Sequence, residues 1–179
     1  AADFDGSGRP GLVIGNFSNE MMALYQNEGK GLFIDEAPAS TIGKTSLLTL
    51  TFACFFFDYD LDGRLDIFAA NGHVADDIST VQPRVKYAQP PHLFRNTGKG
   101  TFVDVTRAAG LGGRSAFSTS AMWVDIDRDG HLDLFVASGA FAEADGVLLG
   151  VGDGTFVSGV PPGTTGSLAA VLADVDGNG

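Results

Sequence analysis

Four aspartates recur at fixed spacing in "DYDLDGRLD": Asp58, Asp60, Asp62 and Asp66 take positions 1, 3, 5 and 9 of a nonapeptide, with Gly63 at position 6. "DIDRDGHLD" repeats the pattern with Asp125, Asp127, Asp129, Gly130 and Asp133. Carboxylates gathered this tightly repel one another unless a positive charge sits among them. A hard divalent cation is the natural neutraliser, since calcium takes about six to eight oxygen ligands and alternate residues of a tight loop aim their carboxylates to one side. Glycine at position 6 permits the sharp turn. The position-7 carbonyls of Arg64 and His131 are expected to add an oxygen each, and Asp66 and Asp133 to bind through both of their own.

Two further copies are weaker. In "DFDGSGRPG" Asp3 and Asp5 persist, but Ser7 stands at position 5 and Gly11 at position 9, which predicts a weak or empty site. The fourth copy offers Asp174, Asp176 and Asn178, and the sequence stops before position 9. An EF-hand loop begins the same way but needs a glutamate at position 12 and a helix after it. Position 12 is Ala69 in one loop and Val136 in the other, each inside a β-rich apolar run.

No other residues group into a catalytic pattern. His73, His92 and His131 are the only histidines, and they read as loop structure, His131 contributing its backbone alone. There is no HExxH, no GxSxG and no phosphate-binding glycine loop; "GKT" at 43–45 lacks the upstream glycine. Paired carboxylates can hydrolyse glycosides, but carboxylates committed to a cation are poor proton donors. The expectation is a protein without catalytic activity of its own.

The elements that position the loops follow from what surrounds them. Each of the first three acidic loops is followed by an apolar run, a glycine turn and a second run: "LYQNEGKGLF" from 24, "LFRNTGKGTF" from 93 and "LLGVGDGTF" from 148, the closing strands opening on Phe33, Phe102 and Phe156. That is hairpin grammar. One repeat is strand, acidic loop, strand, linker, strand, glycine turn, strand. Four short strands in a unit of some tens of residues predict a β-propeller blade. The flanking runs, such as "FFF" at 55–57, are apolar at consecutive positions, as a sheet covered on both faces requires. The fold expected is all-β: a partial propeller of four-stranded antiparallel blades, with repeat units near 1–47, 48–114, 115–165 and a truncated 166–179. The openings "AADFDG" and "ADVDGNG" at the two ends are pieces of one motif, which suggests a segment of something longer.

Composition narrows the partners. A net charge of −11, with lysine and arginine few and scattered, argues against nucleic acid. The longest apolar run, 47–57, is far shorter than the ~20 residues that cross a membrane. Cys54 is alone and reads as a small buried hydrophobe. The stretch between Asp66 and Leu93, 26 residues, is longer than its counterparts, and its excess lies in "HVADDISTVQPRVKYAQPP". Arg84, Lys86 and Tyr87 are candidate ligand contacts there; the simpler reading is an insertion packed against the neighbouring blade.

These loops and hairpins resemble the FG-GAP or VCBS-type repeat of integrin-like propellers and secreted bacterial proteins. The passages "FDYDLDGRLDIFAANGHV", "YAQPPHLFRNTGKGTFVDVTRAAGL" and "VDIDRDGHLDLFVASG" are similar to the cartilage-acidic-protein family, whose bacterial members often carry an ASPIC/UnbV segment. The resemblance implies a ring of about seven blades, calcium in the inter-strand loops, and export from the cytoplasm to the periplasm, cell surface or extracellular space. The function expected is a non-catalytic scaffold for adhesion or recognition of a protein or glycan, completed by further blades. An accessory propeller of a secreted enzyme and a structural spacer are the alternatives.

Overall fold

The computed structural model describes residues 1–139, 144–159, Gly163 and Ser167. They form three antiparallel sheets. The first contains β1 (Leu12–Ile14), β2 (Ala23–Gly29) and β3 (Leu32–Asp35), in that order. The second has β4 (Thr51–Phe57), β5 (Asp66–Asn71), β6 (His92–Gly98) and β7 (Thr101–Asp104) as consecutive neighbours. The third repeats this meander with β8 (Ser118–Val124), β9 (Asp133–Ser138), β10 (Gly146–Gly150) and β11 (Phe156–Ser158). Nearly all the regular structure is therefore strand. The exceptions are a 3-10 turn at Ala37–Ala39 and two short helices, α1 (Thr41–Ser46) and α2 (Ile78–Val81). Residues 43–45 thus lie in a helix between sheets, and His92 opens a strand rather than sitting in a loop.

Strand alternation explains why consecutive apolar residues are needed. In β5, Ile67 and Ala69 face a core shared with the first sheet, while Phe68 and Ala70 face a core shared with the third. All six residues of β5 are buried. β4 divides in the same way: Cys54 and Phe56 pack towards the first sheet, Ala53, Phe55 and Phe57 towards the third. The three phenylalanines at 55–57 therefore pack, half-buried, against two different inter-sheet cores, each contributing part of the about 1.5–3 kcal/mol that full burial gives. Phe57 stacks on Trp123 of β8, ring centroids 4.2 Å apart, which joins the second sheet to the third.

The long segment after β5 lies against all three sheets. Asn19 donates to Gln82 at 2.6 Å, the backbone of Leu50 donates to the Gln89 side chain at 2.9 Å, and Gln89 bridges to Ala116. Tyr87 stacks on Phe117 at 5.5 Å, whereas Arg84 and Lys86 are exposed. The contacts are those of a packed connector between blades.

Candidate metal centre

Each acidic loop is built by its own first aspartate. Asp58 accepts the backbone N–H of Asp62 at 3.0 Å and of Gly63 at 2.8 Å. Asp125 takes Asp129 and Gly130 at 3.1 and 3.0 Å, and Asp3 takes Ser7 and Gly8 at 3.0 and 2.8 Å. The sixth residue must then turn into the left-handed region, with φ of 86° at Gly63, 90° at Gly130 and 78° at Gly8. Only glycine does so without steric cost. The first loop keeps this backbone although two of its acids are missing.

The ninth residue fastens the loop to its sheet. Both oxygens of Asp66, fully buried, accept backbone N–H groups, from Tyr59 at 3.1 Å and from Asn96 on β6 at 2.7 Å. Asp133, equally buried, does the same with Ile126 at 2.7 Å and Gly150 on β10 at 2.8 Å. Sequence reasoning assigned these residues to a cation alone; they also tie the loop to the third strand of the blade. At Gly11 that tie is lost, and a Cβ would stand 2.4 Å from the ring of Phe4, which occupies the space.

Three of the four carboxylates in each complete loop converge. Oxygens of Asp58, Asp60 and Asp66 lie within 4.8 Å of one another, and those of Asp125, Asp127 and Asp133 likewise. Among the described residues the first loop forms no such triad, and Asp174, Asp176 and Asn178 lie outside the described residues. Asp62 and Asp129 are not in the triads either. Asp62 is held instead by two arginines, pairing with Arg64 and, at 3.1 Å, with Arg95; Asp129 accepts the His131 N–H at 2.8 Å. The Arg64 side chain also donates to the Asn96 carbonyl at 2.8 Å, as Arg9 does to Asn27 at 2.6 Å. Position 7 therefore has a side-chain role, clamping the hairpin, that its spacing did not suggest.

The electrostatics fit a hard cation. Burial lifts the Asp66 carboxyl to about 6, against the pull of its two backbone donors, and Asp60 and Asp62 add to the rise. Burial and the charge of Asp60 push the Tyr59 phenol up to about 12. Oδ1 of Asp60 is buried with no hydrogen-bond partner. A carboxylate with a buried, unpaired oxygen, grouped with two other carboxylates, is the arrangement that an oxygen-seeking divalent ion would satisfy.

The second residue of each of the first two loops reaches into the next blade. Phe4 packs on Phe56 and Phe102 of the second sheet at centroid distances of 5.4 and 5.9 Å, and its carbonyl accepts the Asn96 amide at 2.7 Å. Tyr59 packs towards Phe156 of the third sheet at 6.4 Å. The acidic loops are thus joints between sheets, which position 2 could have signalled only by being apolar in an otherwise polar turn.

The family model for FG-GAP-like repeats matches three stretches, residues 3–69, 70–136 and 125–179. No curated protein sequence matches the chain significantly. Among solved structures, a lectin from Agrocybe aegerita, described as recognising non-reducing terminal N-acetylglucosamine, is 21% identical with a TM-score of 0.45. The similarity covers 87% of this chain but 36% of the lectin chain.

Proposed function

Because this chain belongs to the FG-GAP-like repeat family, we propose that it is the calcium-binding part of a β-propeller, exported from the cytoplasm and serving as a non-catalytic scaffold for adhesion or ligand recognition. The observation that carries the metal assignment is the convergence of Asp58, Asp60 and Asp66, with one buried oxygen of Asp60 left unpartnered. Asp125, Asp127 and Asp133 form the second site. An all-oxygen donor set suits calcium or magnesium, and a loop that supplies this many protein oxygens favours the larger ion, because magnesium keeps several of its waters. Bound calcium supplies positive charge to the carboxylates; the chain supplies the cage, and through Tyr59 it couples that cage to the neighbouring sheet.

Export is the setting in which calcium loops of the extracellular kind would be filled. Extracellular calcium modules bind at about 10⁻⁴–10⁻³ M, a range in which sites fill where calcium is millimolar and stay empty in the cytosol. Among the described residues no helix is long and apolar enough to cross a membrane. The recognition role rests on family likeness, and the partner is a protein or glycan that the remaining blades help to present.

The test is thermal unfolding of the full-length protein in calcium, in magnesium and in chelator, with metal content measured in parallel. A ligand that binds only the native state at a hundred times its Kd adds about 2.7 kcal/mol, so calcium should raise the midpoint by several degrees. Coincident midpoints in calcium and chelator, with no metal recovered, would refute the assignment.

A further inference from the structure

The three acidic loops differ in what meets the position-3 carboxylate from the neighbouring strand. In the second loop it is a cation: Arg95 Nε lies 2.7 Å from Asp60, and another nitrogen of the same guanidinium lies 3.1 Å from Asp62. In the first it is a neutral amide, Gln26 donating to Asp5 at 3.0 Å. In the third it is aliphatic. Asn96 and Gly150 are equivalent through their N–H bonds to Asp66 and Asp133, so Leu149 stands where Arg95 does, and Asp127 has no ion pair among the described residues.

From this series we infer that Arg95 is a built-in competitor for the cation, which sets the second loop to a weaker calcium affinity than the third. The inference rests on the calcium reading above. Arg95 binds one Asp60 oxygen and leaves the other without a partner. A divalent ion placed among Asp58, Asp60 and Asp66 would meet a fixed positive charge one carboxylate away. Asp60 and Asp62 are largely buried, with side chains 13% and 19% exposed, while Arg95 is 41% exposed, so solvent screens that repulsion only in part. The third loop lacks this opposing charge at position 3. Arg95 also holds Asp60 in place, which favours binding, so the two effects of one side chain oppose each other. A neutral donor at the same position preserves the hold without the charge, as Gln26 does for Asp5, so a neutral substitute for Arg95 removes the charge effect alone.

The substitution Arg95→Gln separates the two. Calcium titration by calorimetry on the full-length protein with Asp127→Asn, compared with the same protein carrying Asp60→Asn in addition, reads the second site as the difference between the two. Arg95→Gln should tighten that site about tenfold, and in an otherwise native protein should bring two unequal affinities closer together. The reciprocal Leu149→Arg, with Asp60→Asn silencing the second loop, should weaken the third site. Unchanged or weaker binding on Arg95→Gln would overturn the inference while leaving calcium binding intact, as would two equal sites in the native protein. No calcium binding by any variant would overturn the metal reading and this inference with it.

Discussion

Asp60 and Asp66 occupy one loop, yet their surroundings give them separable tasks. Asp66 answers two buried backbone donors, Tyr59 and Asn96. Asp60 answers an arginine with one oxygen and nothing with the other. Asp66→Ala leaves two buried N–H groups without acceptors, at about 1–3 kcal/mol each. It should lower stability by roughly 2–4 kcal/mol even in chelator, read by chemical denaturation. Asp60→Asn should leave the chelated protein near its native stability and abolish only the increment that calcium gives at this loop. If Asp66→Ala proved harmless in chelator, its assigned structural bonds would be wrong. A pH dependence follows from the same residue. Its folded pKa, about 6, lies above the ordinary 3.8, so the folded chain holds the proton more tightly than the unfolded one. Between these values the metal-free protein loses stability as pH rises. Protons and calcium compete for the carboxylate, so the calcium-induced rise in midpoint should grow from pH 4 to above pH 6 and then level off.

At the scale of elements, the loop and the hairpin of the next blade form one joint. The contrast between Phe33 and its counterparts shows what the joint does. Phe102 and Phe156 stand at the start of the closing strand in the same hairpin context and are 3% and 7% exposed, whereas Phe33 is 40% exposed. The difference is the aromatic plug: Phe4 covers Phe102 and Tyr59 approaches Phe156, while among the described residues no preceding loop reaches Phe33. Tyr59→Ala therefore empties a buried site between sheets and should cost about 3–5 kcal/mol. Tyr59→Phe keeps the ring and should be nearly neutral. A denaturant titration of the two variants measures the difference, and equal stability would mean that the plug does not hold the sheets together.

Across the whole molecule, what was legible in the sequence is what the backbone settles over short distances. The acidic loops could be found because their bonds span five residues or fewer, from Asp58 to Asp62 and Gly63. The hairpins announced themselves in the same way: Asn27 and Asn96 bond the Gly29 and Gly98 N–H groups two residues on, each at 2.9 Å. Arg95 was not legible, because its partners Asp60 and Asp62 come from another strand of the sheet. Nor was the plug, since an apolar second position shows its meaning only against the next blade. The two inter-sheet cores make the chain a stack in which each sheet touches its neighbours through β4, β5 and β8, and such stacks lose cooperativity joint by joint. Calcium in the second loop should therefore act locally. Hydrogen exchange in chelator, compared with calcium, should quicken at Asp62, Gly63 and Asn96 and at the β10–β11 turn, where a Cβ added at Gly154 would stand 3.4 Å from the Tyr59 hydroxyl. The β2–β3 hairpin, whose preceding loop has no carboxylate triad, should change little. Uniform quickening over all three sheets would show instead that the blades unfold as one unit and that the ions stabilise the stack globally rather than its separate joints.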